Sequence, residues 1–476
     1  MTAKGIALAL TAAALLAGCG IARQPPQPGV PQTSSYTREG ELLTLSQRIA
    51  LGDQLAAQWW TLFASPPLNQ LIRMGIAGNY DLAAARATLA QAQETVAARE
   101  GERLPQISLE ATAGRQKYGA TLFGPANFAI PPFNYYEIGP SASWTPDFFG
   151  RQRYAIERQR ALADYQAQQL DATYLALTAN IVATTLELAA DNEEIATVRR
   201  IEAADQKTLA LVKASYTLGA ASRLDVLSAQ TQAVSDSALL PALERRRAIS
   251  RHTLAILLGK PPAEWSPPAV ALHDFALPHD LPLSLPSELA KNRPDIRAAQ
   301  ANLRAASAAV GEATANFYPR VTLSANMLQE ALTPAGIFNS TGAAWALAAG
   351  LSAPVFNGGT LSAEKRAAQH AYQAALAQYR QTILNAFGEV ADALTSLDHD
   401  DADAALRRKV VDQAGHTYAL ALSSYRQGAV GLLQVLDAQR ALARAELALA
   451  AAQRQRYLDC VRLFVALGGS PYQPGA

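Results

Sequence analysis
Two aspartates stand in a line of sequence that is written twice. Asp225 lies in YTLGAASRLDVLSAQ (Tyr216–Gln230) and Asp437 in YRQGAVGLLQVLDAQ (Tyr425–Gln439). The lines agree at eight of fifteen positions and are 425 − 216 = 209 residues apart. Asp225 and Ser228 are spaced i, i+3, and Gln434 and Asp437 take those places in the second line. Residues three apart share a helix face, so each line offers two polar groups side by side, one of them a carboxylate. Two kinds of chemistry suit such a pair. A carboxylate at a helix start caps free N–H groups and is favoured by the helix dipole. A carboxylate facing a pore attracts cations. Gly219 and Gly428 precede the pairs and mark the points where the backbone turns.

The rest of the chain offers little other reactive chemistry. His252, His273, His279, His370, His399 and His416 are scattered, without metal-ligand or catalytic spacing. SLDHDDADAA (Ser396–Ala405) lacks the Gly and closing Glu of a calcium loop and reads as a solvated acidic bend. LGKPP lacks the upstream Gly and following Ser or Thr of a phosphate loop. ERRRAISRH (Glu244–His252) reads as a solvated helix face. The expectation is a protein that is not an enzyme, with no catalytic residues, metal or cofactor. Net charge is +1 over 476 residues, which argues against nucleic acid as a partner.

The N-terminus carries an address. Lys4 precedes an apolar run from Ile6 to Leu16, too short for a mature membrane span, and small residues follow. Leu16-Ala17-Gly18-Cys19 resembles a bacterial lipobox, which implies removal of residues 1–18 and lipidation of Cys19. The residue after it is Gly20, not the Asp that retains many lipoproteins at the inner membrane, so the resemblance points to the outer membrane. Residues 19–40, rich in Pro, Gln and Ser, read as an extended tether.

The elements that position the two aspartates form a longer repetition. NYDLAAARATLAQAQ (Asn79–Gln93) parallels NRPDIRAAQANLRAAS (Asn292–Ser307), and LPQISLEATAG (Leu104–Gly114) parallels YPRVTLSANML (Tyr318–Leu328). WTPDFFG parallels LSAPVFNG, and LAILLGKPP parallels LFVALGGSP, in the same order. The expected organisation is a first repeat over 41–262, a linker over 263–286 and a second repeat over 287–476. Period-two alternation predicts strands at about 104–118 and 135–148, then 318–330 and 343–356. In the first of each pair, Ile107, Leu109, Ala111 and Ala113, then Val321, Leu323, Ala325 and Met327, fall on one face. Long helices are expected over about 151–258 and 358–467. Arg151–Leu218 contains neither Gly nor Pro, and about 100 Å of helix follows at 1.5 Å per residue. Segments Glu41–Pro66, Lys260–Pro286 and Asp398–Asp403 read as a side layer that interrupts these rods.

Four strands with one apolar face cannot close in lipid, where an open edge leaves unsatisfied backbone groups. A trimer would supply twelve strands and also gather the helices into a hollow tube. The duplicated hairpins, the NRPDIRAAQANLRAASAAVGEATANFYPR segment, PVFNGG and the paired turns resemble the TolC/OprM-type outer-membrane efflux channels, nearest their NodT-like branch. The resemblance implies a mixed α and β membrane protein, a trimeric twelve-stranded β-barrel joined to a long periplasmic α-helical barrel. It implies docking to an inner-membrane pump through a periplasmic adaptor. Asp437 matches an aperture aspartate of that motif, whereas Asp225 rests on the internal repeat; Ser228 and Gln434 stand beside them. The function expected is a passive exit duct for small toxic compounds, with the channel of a type I protein secretion system as the alternative. A trimeric coiled-coil adhesin is the competing class, and only the duct would conduct ions.

Overall fold
The computed structural model describes Tyr36, residues 48–52, 55–56, 58–119 and 131–469, and Tyr472. Cys19, the leader and the tether apart from Tyr36 lie outside the described residues. The element order is β1 (Arg48–Leu51), α1 (Pro66–Gly78), α2 (Tyr80–Gly101), β2 (Gln106–Gln116), β3 (Phe133–Trp144), α3 (Arg151–Thr217), α4 (Arg223–Ser237) and α5 (Leu240–Leu257). It continues with β4 (Asp280–Leu283), α6 (Pro286–Asn292), α7 (Pro294–Ala315), β5 (Arg320–Ala331), β6 (Ala343–Ser352), α8 (Thr360–Arg426) and α9 (Leu432–Ala466). Both α3 and α8 run for 67 residues, and both α2 and α7 for 22. The chain divides into two compact units that cut across the repetition, each drawing on both halves.

The first unit holds residues 89–165 and 299–379 and is built on an antiparallel sheet of order β2-β3-β5-β6. Directly opposed residues of antiparallel strands share a face. The register places Ile107 opposite Ala142, Ala142 opposite Ala325, and Ala325 opposite Leu347, one apolar row across all four strands. Trp144, Leu323 and Ala349 form a neighbouring row. The other face is polar: Ser108 and Ser141 hydroxyls lie 2.8 Å apart, and Ser141 donates to Glu110 at 3.0 Å. The strands are 10 to 12 residues long, the length that crosses a bilayer when tilted. Pro146 and Pro354, lacking an N–H, follow the ends of β3 and β6. Phe149 then stacks on Tyr318, centroids 5.3 Å apart, and joins the two hairpins.

The second unit holds the remaining described residues. Its core gathers Trp59, Trp60, Phe63, Tyr174 and Phe464 around a short 3-10 helix at Trp59–Phe63. β1 and β4 pair in parallel, a side layer built from the segments at 41–66 and 260–286. The residues that precede α2 and α7 do the same work. Asn79 Nδ2 donates to the Leu257 carbonyl at 3.0 Å, and Arg293 Nη1 to the Ala466 carbonyl at 2.9 Å. Leu257 and Ala466 are 209 residues apart, so each contact ties a helix start to a helix end at the same point of the repetition. Cys460 is fully buried in α9.

Asp398–Asp403 does not interrupt a rod or form a solvated bend: α8 passes through it unbroken. Asp401 pairs with Arg456 of α9, and Asp403 takes Arg407 at 2.6 Å one turn on, so two of its four carboxylates are compensated within the helices. The return of the first half, expected as one helix, is two. α4 stops at Ser237 and α5 restarts at Leu240 with Pro241 in its first turn, where a ring without an N–H is tolerated. The return of the second half, α9, is one helix of 35 residues.

Candidate functional site
The repeated line is a helix turn in both copies. Gly219 has φ +73° and Gly428 φ +74°, a left-handed backbone that glycine adopts without penalty. Gly219 N–H donates to the Tyr216 carbonyl at 3.0 Å, and Ala220 N–H to the Ser215 carbonyl at 2.8 Å. Gly428 and Ala429 repeat the pattern with Tyr425 and Ser424, at 2.9 Å each. These bonds satisfy the last carbonyls of α3 and α8 and turn the chain into α4 and α9.

Below the turns the four helices share one core. Leu209 and Val212 from α3, Val226 and Ala229 from α4, and Leu432, Val435 and Leu436 from α9 are buried together, with Tyr418 and Leu422 of α8 against them. The two copies therefore pack through the repeated Leu-x-Val-Leu segment, but not through all of it. Leu224 and Leu433, which are equivalent, are 72% and 64% exposed.

The four polar candidates divide sharply. Ser222 Oγ accepts from Asp225 N–H at 3.1 Å, while Asp225 Oδ2 accepts from Ser222 N–H at 2.8 Å. This is a full capping box, and it gives Asp225 the helix-start role. The second copy has Gly431 where the first has Ser222, so no side chain caps α9. Gln434 is exposed, and Ser228 is half-buried. Asp437 stands on the exposed face with its side chain 61% accessible, and its Oδ1 takes Arg440 Nη1 at 3.3 Å. Arg440 also donates to the Gln232 side chain of α4. The pairing of Arg440 with Gln232 crosses 208 residues of chain, and no local sequence pattern announces it.

Residues 71–260 and 285–469 match the family model described as outer membrane efflux protein. The chain is 34% identical over 453 residues to the pyoverdine export outer membrane protein OpmQ of Pseudomonas putida, covering 94% of this chain and 93% of that protein. It is 29% identical over 472 residues to nodulation protein T of Rhizobium leguminosarum bv. trifolii, covering 97% and 96%. Its structure aligns with that of the outer-membrane channel OprN with a TM-score of 0.85 at 28% identity, over 94% and 98% of the two chains. The fold is that of an outer-membrane channel. The chain belongs to the outer membrane efflux protein family, and its function is efflux across the outer membrane.

Proposed function
We propose that three copies of this chain close a twelve-stranded barrel in the outer membrane, and that their long helices continue it as a hollow duct through the periplasm. One observation carries the reading: a four-stranded sheet exposes an apolar face, Ile107 at 76%, Leu109 at 73% and Leu347 at 74%, and ends in β2 and β6. Such edges are unstable in hydrocarbon until paired, and four strands are half the number of the smallest closed membrane barrels. The duct is passive. An inner-membrane pump working through a periplasmic adaptor supplies the energy, as in tripartite efflux. Likeness to a channel named for pyoverdine export, not export of a polypeptide, favours a small-molecule cargo over type I secretion. Repeats 41–262 and 287–476 present two similar turns per chain, six per trimer, to the adaptor. Cys19 carries the lipid that anchors the tether.

At the periplasmic mouth Asp437 faces the axis, and three-fold symmetry makes a ring of it. Its exposure beside the turn supports this. Asp225 adds a second ring through the carboxylate oxygen that its cap leaves free. The test is conductance in planar bilayers. Asp437→Ala together with Asp225→Ala should lower cation-over-anion preference and weaken block by multivalent cations. Unchanged selectivity and block in the double variant would remove both residues from the mouth; a protein that conducts nothing would remove the duct.

A further inference from the structure
A polar seam crosses three helices below the turns. Asp205 on α3 is 3% exposed. Its Oδ1 accepts from Gln439 Nε2 of α9 at 2.6 Å, and Gln439 Oε1 accepts from Thr208 at 3.2 Å. Its Oδ2 is buried and meets no donor. What stands within hydrogen-bonding reach of Asp205 is a second carboxyl, Asp236 of α4. Asp236 Oδ2 already accepts from Gln232 Nε2 at 2.7 Å, and Gln232 leads through Arg440 to Asp437. Glu202, on α3 itself, adds a further negative charge near Asp205.

Two ionised carboxylates are acceptors only and cannot bond to each other. A single proton between them changes repulsion into a charge-assisted hydrogen bond and satisfies the orphaned oxygen. We propose that Asp205 and Asp236 hold one proton between them, and that this proton latches α4 to α3 beneath the channel mouth. The position suits a latch. Asp236 is the penultimate residue of α4, next to the break before α5. α4 has only 15 residues, a length at which an isolated helix is marginal in water, so it depends on what holds its ends. Its start carries the Asp225 cap and its end carries the shared proton. Burial first, then the charge of Asp236, push the Asp205 carboxyl up to about 7. The latch is closed below neutrality and released above it. Release leaves two negative charges facing each other within the seam and frees the end of α4 that leads to the mouth.

The effect on conductance rests on the duct reading; the latch itself does not. Asp205→Asn supplies a permanent donor in place of the proton, so it should hold the latch closed at every pH. Hydrogen exchange of residues 223–237 in the purified full-length protein, corrected for intrinsic rates, should accelerate several-fold from about pH 5 to about pH 9. In Asp205→Asn it should stay slow throughout. Infrared difference spectra should show a protonated-carboxyl band in the wild type that fades across neutrality and loses intensity in both Asp205→Asn and Asp236→Asn, the remainder belonging to Asp400. If α4 exchanges without pH dependence, or neither variant removes intensity from that band, the latch is refuted. Exchange that switches in a protein that conducts no ions would sink the duct and leave the latch standing.

Discussion
The glycines show how magnitudes rank single residues. Gly219 has nothing within 4 Å of where a Cβ would stand, so Gly219→Ala pays only for the left-handed backbone, about 1–2 kcal/mol. Gly468, with φ +89°, would place a Cβ 2.6 Å from Arg293 Cγ, and Arg293 is pinned by Asp295 and Glu389 at 2.7 Å each. Gly468→Ala should therefore lower the thermal midpoint of the purified protein clearly more than Gly219→Ala, and equal midpoints would contradict the packing. Burial and the Asp459 carboxyl raise Asp400 to about 7 from an ordinary 3.8. The folded state thus binds this proton more tightly than the unfolded chain. The stability it contributes is fully present below about pH 4 and is lost as pH rises through about 7. Asp400→Asn should flatten the fall in thermal midpoint over that range. Asp205→Asn should flatten it by a further step, because the two pairs share no residue.

Elements follow from the sequence where one residue type decides a local geometry. The turns at Gly219 and Gly428 were legible because a left-handed residue after a long helix asks for glycine, and the strands because their period-two alternation survives in the register. Pro241 announces the break between α4 and α5, but the helical pattern on either side of it conceals the interruption. The Asp398–Asp403 run reads as a solvated bend because part of its compensation is distant: Arg456 lies 456 − 401 = 55 residues beyond Asp401. The capping of Asp225 was among the sequence alternatives, and only Ser222, three residues before it, decides for it. Leu323→Arg, in the apolar row, should cost about 2–4 kcal/mol of insertion if it lies near the midplane. Ser324→Arg, one residue on and facing the other way, should cost far less. Equal insertion of the two variants into lipid vesicles would mean that the apolar row does not meet lipid.

In the whole molecule, the edge strands β2 and β6 of the sheet require neighbours. Crosslinking in detergent should give trimers as the main species, and a folded monomer that inserts alone would overturn the closure argument. Labelling with a radioactive fatty acid should vanish in Cys19→Ser, while the protein stays in the membrane, since one acyl chain anchors only marginally and a closed barrel inserts stably. Cys460 then acquires an experimental meaning. The chain has two cysteines. With Cys19 acylated as proposed and Cys460 buried inside α9, the protein would offer a maleimide or spin label no native thiol to attack. A cysteine introduced at Gln434 or Ser228 would report from the turns alone, against a silent background and without first stripping the protein of its own sulfur.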